Sequence, residues 1–131
     1  MKILEQLLAE ESKWYDNNYY KVVKPIDAHQ HDGWEQTNAY YGSSRISKAK
    51  FKPVKLNKGD EIHSLVGGTF VVKKGEGHQA RLEKPEDKHP FERSNGNQRE
   101  EQYHALEKLV KDGTLEKLSK DTAQKAHYKP V

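Results

Sequence analysis

The chain has 131 residues, of which 33% are hydrophobic and 33% are charged, and it contains no cysteine. This length suits one domain, and the missing thiols exclude disulfides and thiolate metal sites. A net charge of +3 is too small to indicate nucleic-acid binding, and no apolar run reaches transmembrane length. We therefore expect a cytoplasmic protein without a membrane partner, and we do not expect nucleic acid as a partner.

Three segments follow one another along the chain. Residues 1–18 indicate an amphipathic N-terminal helix, because leucines and isoleucines recur at helical spacing. Residues 19–92 alternate short runs rich in valine, tyrosine and phenylalanine with glycine-containing turns, which is typical of a sandwich or barrel. Residues 93–131 indicate two helices: Asn97 caps the first, Gly113 ends it, and Thr114 opens the second. We predict one domain over residues 1–131.

A lysine-rich segment, "SKAKFKPVK", lies within the predicted strands. Strand alternation places Lys48, Lys50 and Lys52 on one side and Phe51 on the other. We expect Phe51 to face the core and the lysines to face water, where they protect a sheet edge from pairing. An electropositive rim for a carboxylate, a phosphate or a polyanion is the alternative.

The stretch "IDAHQHDGWEQTNAYYG" carries the residues best suited to chemistry. His29 and His31 are two residues apart and share a face of a strand. A turn at Asp32-Gly33 would return Glu35 to that face, giving a two-histidine, one-carboxylate set suited to a divalent metal. His78, which follows two closely spaced glycines, is the candidate fourth ligand. The simpler interpretation is a polar loop with solvated histidines; His63 and the remaining histidines match no pattern.

These residues resemble the two motifs of the cupin superfamily, over about residues 25 to 82. The first motif has the spacing Gly-x5-His-x-His-x3–4-Glu-x6-Gly, and the second has Gly-x5-Pro-x-Gly-x2-His-x3-Asn. The matching positions are His29, His31, Glu35, Gly42, Gly67, Gly75 and His78. The sequence departs from the motifs at Val23, Lys73 and Leu82, where glycine, proline and asparagine would stand. The resemblance implies a mainly β fold: a small cupin-like β-barrel or jelly roll over 19–92, with an N-terminal helix and a C-terminal helical pair.

The same resemblance implies a metal-dependent enzyme with His29, His31, Glu35 and His78 as ligands. The ligand types suit Fe, Mn, Ni, Zn or Cu without choosing among them. The expected substrate is a small polar molecule, hydroxylated or anionic, and the reaction is that of a dioxygenase, an isomerase or epimerase, or a lyase.

Residues near the motif suggest how a substrate would be held. Thr37, Tyr41 and Arg45 are the expected substrate contacts, with Tyr41 as the catalytic acid or base. The terminal helices either cap the barrel or form a homodimer interface. The alternative function is a non-catalytic cupin-like β module that binds a protein or another partner. Nucleic-acid binding through the lysine strand and nearby tyrosines ranks last, because acidic residues nearly balance the charge.

Overall fold

A computed structural model of the chain describes residues 13–82 and 97–129, and it confirms that the protein is mainly β. Most of the described residues lie in an antiparallel sheet, and one helix accompanies it. The elements in chain order are β1 (Asn18–Val22), β2 (Ile26–Tyr41), β3 (Ser44–Leu56), β4 (Glu61–Leu65), β5 (Gly68–Lys73), β6 (Glu76–Arg81), α1 (Asn97–Lys111), β7 (Leu115–Leu118) and β8 (His127–Lys129).

The strands pair in the order β3-β2-β6-β5-β4-β1-β7, and the short β8 lies parallel to β6. Strands β3 and β7 stand at the two ends of this order, and within residues 13–82 and 97–129 they do not pair with each other. The hydrogen-bonded ladder is therefore open, whereas a barrel requires the end strands to meet.

One face of the sheet packs against α1 and forms the core, and we call it the helix face. Cross-strand register aligns Tyr20 with Ile62, Ile62 with Val71, and Gln30 with Ala80. Directly paired residues point to the same face, and the apolar members of these pairs are almost completely buried. Leu106 of α1 has no exposed surface and belongs to the same cluster.

The opposite face carries most of the aromatic side chains, and we call it the ring face. Tyr19, His63 and Phe70 follow one another across β1, β4 and β5 in register. Tyr128 of β8 packs over Gly77 and lies 4.9 Å, centroid to centroid, from the Phe70 ring. The sheet therefore has two chemically different sides, one covered by the helix and one lined with rings.

The predicted second C-terminal helix is wrong, because the chain after α1 forms strand β7. Helix α1 ends as expected: Gly113 has a positive φ of 85°, and its N–H donates to the carbonyl of Val110 while that of Thr114 donates to Leu109. These two bonds make a Schellman cap. Leu115 then pairs with Val22 of β1 and is buried. Pairing with an otherwise open strand edge outweighs the weak helical preference of this short segment.

The predicted N-terminal helix lies mostly outside the described residues, since residues 1–12 are not among them. The last part of this predicted helix, residues 13–18, is not helical in the structure. The amide of Asp16 donates to the carbonyl of Lys13 in a tight turn, and β1 begins at Asn18. Among the described residues, no helix is long and apolar enough to span a membrane.

Candidate binding surface on the long β-ribbon

Strands β2 and β3 form a hairpin that extends well beyond the rest of the sheet. They have 16 and 13 residues, and the two-residue connection Gly42-Ser43 joins them, with Gly42 at φ 64°. Strand β6 pairs with β2 only at His29 and Gln30. The ten residues of β2 after His31 therefore continue as a two-stranded ribbon about 30 Å long at ordinary strand rise.

The expected turn at Asp32-Gly33 is wrong, because β2 runs through this point without reversing. The register changes from His31 opposite Phe51 to Trp34 opposite Ala49, so β2 advances three residues while β3 advances two. Such a one-residue excess is a β-bulge. Gly33 has a φ of 93°, a left-handed conformation that suits glycine, and its amide donates to Nδ1 of His31 at 3.2 Å.

The bulge brings Trp34 to the ring face beside His31. Phe51 and Ala49 are two apart on β3 and share a face, so their partners His31 and Trp34 share it as well. A second irregularity in the register lies between Gln36 and Tyr40. Beyond it Tyr40 pairs with Arg45, which is on the same face of β3 as Ala49, so Tyr40 and Arg45 also lie on the ring face. The result is a row of side chains along the ribbon. We call it the ribbon row, and its members are Arg81, Phe51, His31, Trp34, Arg45 and Tyr40.

The four inner members of the ribbon row, from Arg81 to Trp34, are in contact with one another in sequence. The His31 ring centroid lies 5.0 Å from that of Trp34 and 5.3 Å from that of Phe51. The Arg81 guanidinium lies 5.8 Å from the Phe51 centroid, a cation–π distance. These contacts link the base of the ribbon to its middle.

The outer part of the row is held by Arg45. Its guanidinium lies 5.4 Å from the Tyr40 centroid and donates to the Tyr40 hydroxyl at 2.8 Å and to Oε1 of Gln36 at 3.4 Å. Trp34 and Tyr40 remain 59% and 56% exposed despite these contacts. The row thus presents large ring surfaces to solvent on a preformed scaffold.

The charge on the ribbon is unevenly divided between its strands. Strand β3 contains five cationic residues and no acidic one, while β2 contains three acidic residues. On β2, Glu35 pairs in register with Lys48, and Asp32 lies 4.0 Å from Lys52 in a solvent-exposed ion pair. Because β3 is the last strand of the sheet, its cations line an outer edge. Burial among the rings lowers the pKa of His31, an effect that the nearby Asp32 carboxylate opposes.

The lysine row follows the predicted alternation, but its relation to the core differs from the prediction. Lys50 and Lys52 are exposed as expected, whereas Lys48, which pairs with Glu35, is half-buried. They share their face with Leu56, which belongs to the core, so the lysine row continues the helix face beyond the helix. Phe51 is half-buried on the ring face against His31 and Arg81.

The structure separates the four expected metal ligands into two pairs. His29 pairs with Arg81 and, with His31, lies on the ring face. His78 pairs with Val71 and so lies on the helix face, where its Nε2 is 3.8 Å from Glu76. Glu35 follows Trp34 and pairs with Lys48, which also places it on the helix side of the ribbon.

This arrangement does not fit a four-ligand metal centre. Among residues 13–82 and 97–129, no three histidine, aspartate or glutamate side chains converge closely enough to hold a metal ion. His29 directs Nδ1 to the carbonyl oxygen of Leu82 at 3.3 Å. His31 uses its Nδ1 to fix the bulge. The two histidines that share a face therefore serve the local backbone.

The expected substrate contacts lie along the ribbon, away from the histidine pair. The Thr37 hydroxyl donates to the carbonyl of Ile46 at 2.8 Å and accepts from the Ala39 amide, so it stabilises the second irregularity. Tyr41 is 73% exposed at the tip and pairs with Ser44, which places it on the face opposite Tyr40. Of the three expected contacts, only Arg45 is in the ribbon row.

A buried polar network that the sequence did not reveal lies at the centre of the ring face. His63 has no exposed surface; its Nε2 lies 2.8 Å from Oε1 of Glu61, and its Nδ1 lies 2.6 Å from the Tyr128 hydroxyl. The Glu61 carboxylate also accepts from the amide of Gln124 at 2.9 Å. Burial raises the pKa of Tyr128, as do the nearby Tyr19 and Glu61. The network ties the C-terminal segment to the sheet.

Neither the ribbon row nor the buried network was found by sequence reasoning. Gly42-Ser43 was the sequence feature that could have indicated the ribbon, because a two-residue connection of this kind joins the strands of a hairpin. Nothing local connects Glu61 and His63 to Tyr128, which lies 65 residues after His63. Comparison of the chain with protein-family models, with curated proteins and with solved structures finds no match.

Proposed function

We propose that this protein is a non-catalytic binding module that holds an extended anionic partner along the ribbon row. The observation that carries the proposal is the exposure of Trp34 and Tyr40 within an ordered line of rings and guanidinium groups. Exposed aromatic surface of this kind is a frequent feature of binding sites. Because the row is already assembled, little side-chain ordering would be required on binding.

The charge distribution supports an anionic partner. Arg45 and Arg81 are members of the row, and Lys55 of β3 lies on the same face of the sheet. Lys48, Lys50 and Lys52 project from the opposite face of the same strand, where Glu35 pairs with Lys48. An anion on the ring face would therefore contact Arg45 and Arg81, and the lysines of β3 would add longer-range attraction. The length of the ribbon, about 30 Å, suits an extended chain better than a compact small molecule.

Trp34 gives a direct test of the proposal. The chain has two tryptophans, so Trp14→Phe leaves Trp34 as the only indole reporter. Its emission should change on titration with at least one of three anionic probes: a single-stranded oligothymidylate, a heparin-derived oligosaccharide or polyglutamate. Arg45→Gln should weaken that response, because it removes a cation beside Tyr40. Unchanged Trp34 emission with all three probes would refute the proposal.

The second candidate is the metal-dependent cupin-type enzyme with a small polar substrate. It is supported by the motif spacing and by the shared face of His29 and His31. It also requires Glu35 and His78 to reach that face, which the strand register opposes. Elemental analysis of protein purified without a histidine tag would decide. Stoichiometric Fe, Mn, Ni, Zn or Cu that is lost in His31→Ala would favour the enzyme.

A further inference from the structure

We infer that the anionic partner is single-stranded nucleic acid, an inference that rests on the proposed binding role of the ribbon row. The row combines two kinds of interaction that single strands use together. Aromatic rings stack on exposed bases, and cationic side chains follow the phosphate backbone. Trp34 and Tyr40 supply exposed rings, and Arg45 supplies a guanidinium that is hydrogen-bonded to the Tyr40 hydroxyl.

The rings distinguish a nucleic acid from a simple polyanion. An acidic peptide or a sulfated saccharide would be attracted by Arg45 and Arg81, but neither repeats a flat π group together with an anion in every unit of its chain, as a nucleic acid does. The cations, in turn, distinguish it from a neutral aromatic ligand, because Arg45 and Arg81 both adjoin rings of the row. Only a partner with planar groups and regularly spaced anions uses both features.

Accessibility of the base faces distinguishes single strands from duplexes. In a duplex the π faces are stacked on one another, and a protein reaches only base edges and phosphates. A row of rings on a β surface can stack on bases only where these are unpaired. Stacking is tolerant of sequence because every base has a π face. We therefore expect weak sequence preference and binding of both DNA and RNA strands.

Fluorescence anisotropy of a labelled oligothymidylate, with the full chain, measures the contribution of the rings. Tyr40→Ala and Trp34→Ala should each weaken binding about 5- to 140-fold, the range expected for loss of one stacked base. Tyr41→Ala is the matched control: the same residue type, one position away, exposed, and on the opposite face. It should leave the affinity unchanged. Melting curves of all three variants should show retained cooperative unfolding.

Salt dependence measures the contribution of the cations. The logarithm of the affinity falls linearly with the logarithm of the salt concentration. The slope of this line becomes shallower by about 0.7 for each phosphate of a single strand that the protein no longer neutralises. Arg45→Gln should reduce the steepness by this amount. Arg45→Lys should keep the steepness, since it keeps the charge, but should weaken binding because the variant lacks the planar group and its hydrogen bond to Tyr40.

Competition separates this inference from the proposed function. Unlabelled single strands, as oligothymidylate or oligouridylate, should displace the probe, and a duplex of equal length should compete poorly. Equal competition by the duplex, or full binding by both Trp34→Ala and Tyr40→Ala, would overturn the inference. If heparin or polyglutamate changes Trp34 emission while oligothymidylate does not bind, the inference fails and the proposed function stands. If none of them binds at the row, both fail.

Discussion

Gly77 is the position where the smallest possible change should produce a large and diagnostic effect. A Cβ atom added there would lie 2.6 Å from Cδ1 of Tyr128 and 3.2 Å from its Cε1. Ordinary contact begins near 3.4 Å, so in Gly77→Ala the ring must move by about 0.8 Å. The hydroxyl of that ring lies 2.6 Å from Nδ1 of His63. A displacement of this size along the hydrogen bond would lengthen it to about 3.4 Å, beyond the usual range of about 2.5–3.2 Å.

The expected loss in the free energy of unfolding follows from these distances. Overpacking costs about 1–3 kcal/mol, and leaving Nδ1 of the buried His63 ring without the Tyr128 hydroxyl costs about 1–3 kcal/mol. Replacing glycine by alanine stiffens the unfolded chain and returns about 0.4–1 kcal/mol. Since movement of the ring relieves part of the overpacking, we expect a net destabilisation of about 2 kcal/mol for Gly77→Ala.

A double-mutant cycle measured by urea unfolding isolates the cause. In Tyr128→Ala the obstructing ring is gone, so adding Gly77→Ala should be neutral or slightly stabilising. The coupling between the two positions should therefore be about 2–3 kcal/mol. Tyr128→Phe keeps the ring and removes only the hydrogen bond, so it should cost about 1–3 kcal/mol. A coupling energy below about 0.5 kcal/mol, the level at which independent sites add, would show that the Tyr128 ring does not obstruct a side chain at position 77.

Three further predictions concern the core, the ribbon and the buried network. Leu106→Ala should lower the free energy of unfolding by about 2–5 kcal/mol, measured in urea, since Leu106 is fully buried; a smaller loss would show that α1 does not cover the core. The pKa of His31 is lower in the folded protein than in the unfolded chain. As the pH falls below about 6.5, His31 is therefore protonated in the unfolded chain before it is protonated in the folded protein, and the free energy of unfolding decreases. His31→Gln should flatten the acid-side dependence of melting temperature, and an unchanged slope would contradict this. The pKa of Tyr128 is raised in the folded protein. Above about pH 10, Tyr128 therefore loses its proton in the unfolded chain before it does so in the folded protein, and the free energy of unfolding decreases as the pH rises. Tyr128→Phe should reduce that alkaline loss in the same melting series, and a profile as steep as that of the unmodified chain would be inconsistent with a partly buried, neutral phenol.

Sequence reasoning predicted the β-rich class because its signals are local. The short runs "DEIHSLV", "TFVVKK" and "HQARLE", which glycine-containing turns separate, became β4, β5 and β6. The Lys74-Gly75 turn has both residues at positive φ, as a tight hairpin requires. The end of α1 at Gly113 was predicted for the same reason. Local chemistry fixes a cap or a two-residue turn almost independently of the rest of the chain.

The predicted metal site required Glu35 and His78 on the face of His29 and His31, and the structure has both on the other face. For Glu35 the reason is the parity of strand β2. A turn at Asp32-Gly33 and a bulge at Gly33 have similar sequence signals, since both use a glycine at positive φ. The bulge inserts one residue into β2. As a result Trp34, and not Glu35, lies on the same face as His31. Register depends on the partner strand, here β3, and a shift of one residue moves every later side chain to the other face. The same long-range dependence hid the pairing of Leu115 with β1.

An amide and indole NMR titration with single-stranded oligothymidylate locates the binding surface on the protein. We expect the largest shift changes on the ribbon row, with the Trp34 indole and the amides of Tyr40 and Arg45 among them. The amides of α1, on the opposite face of the sheet, and of β7, at the opposite end of the strand order, should change little. Changes centred on α1 or β7, or the absence of any change at saturating oligothymidylate, would show that single strands do not bind along the ribbon row.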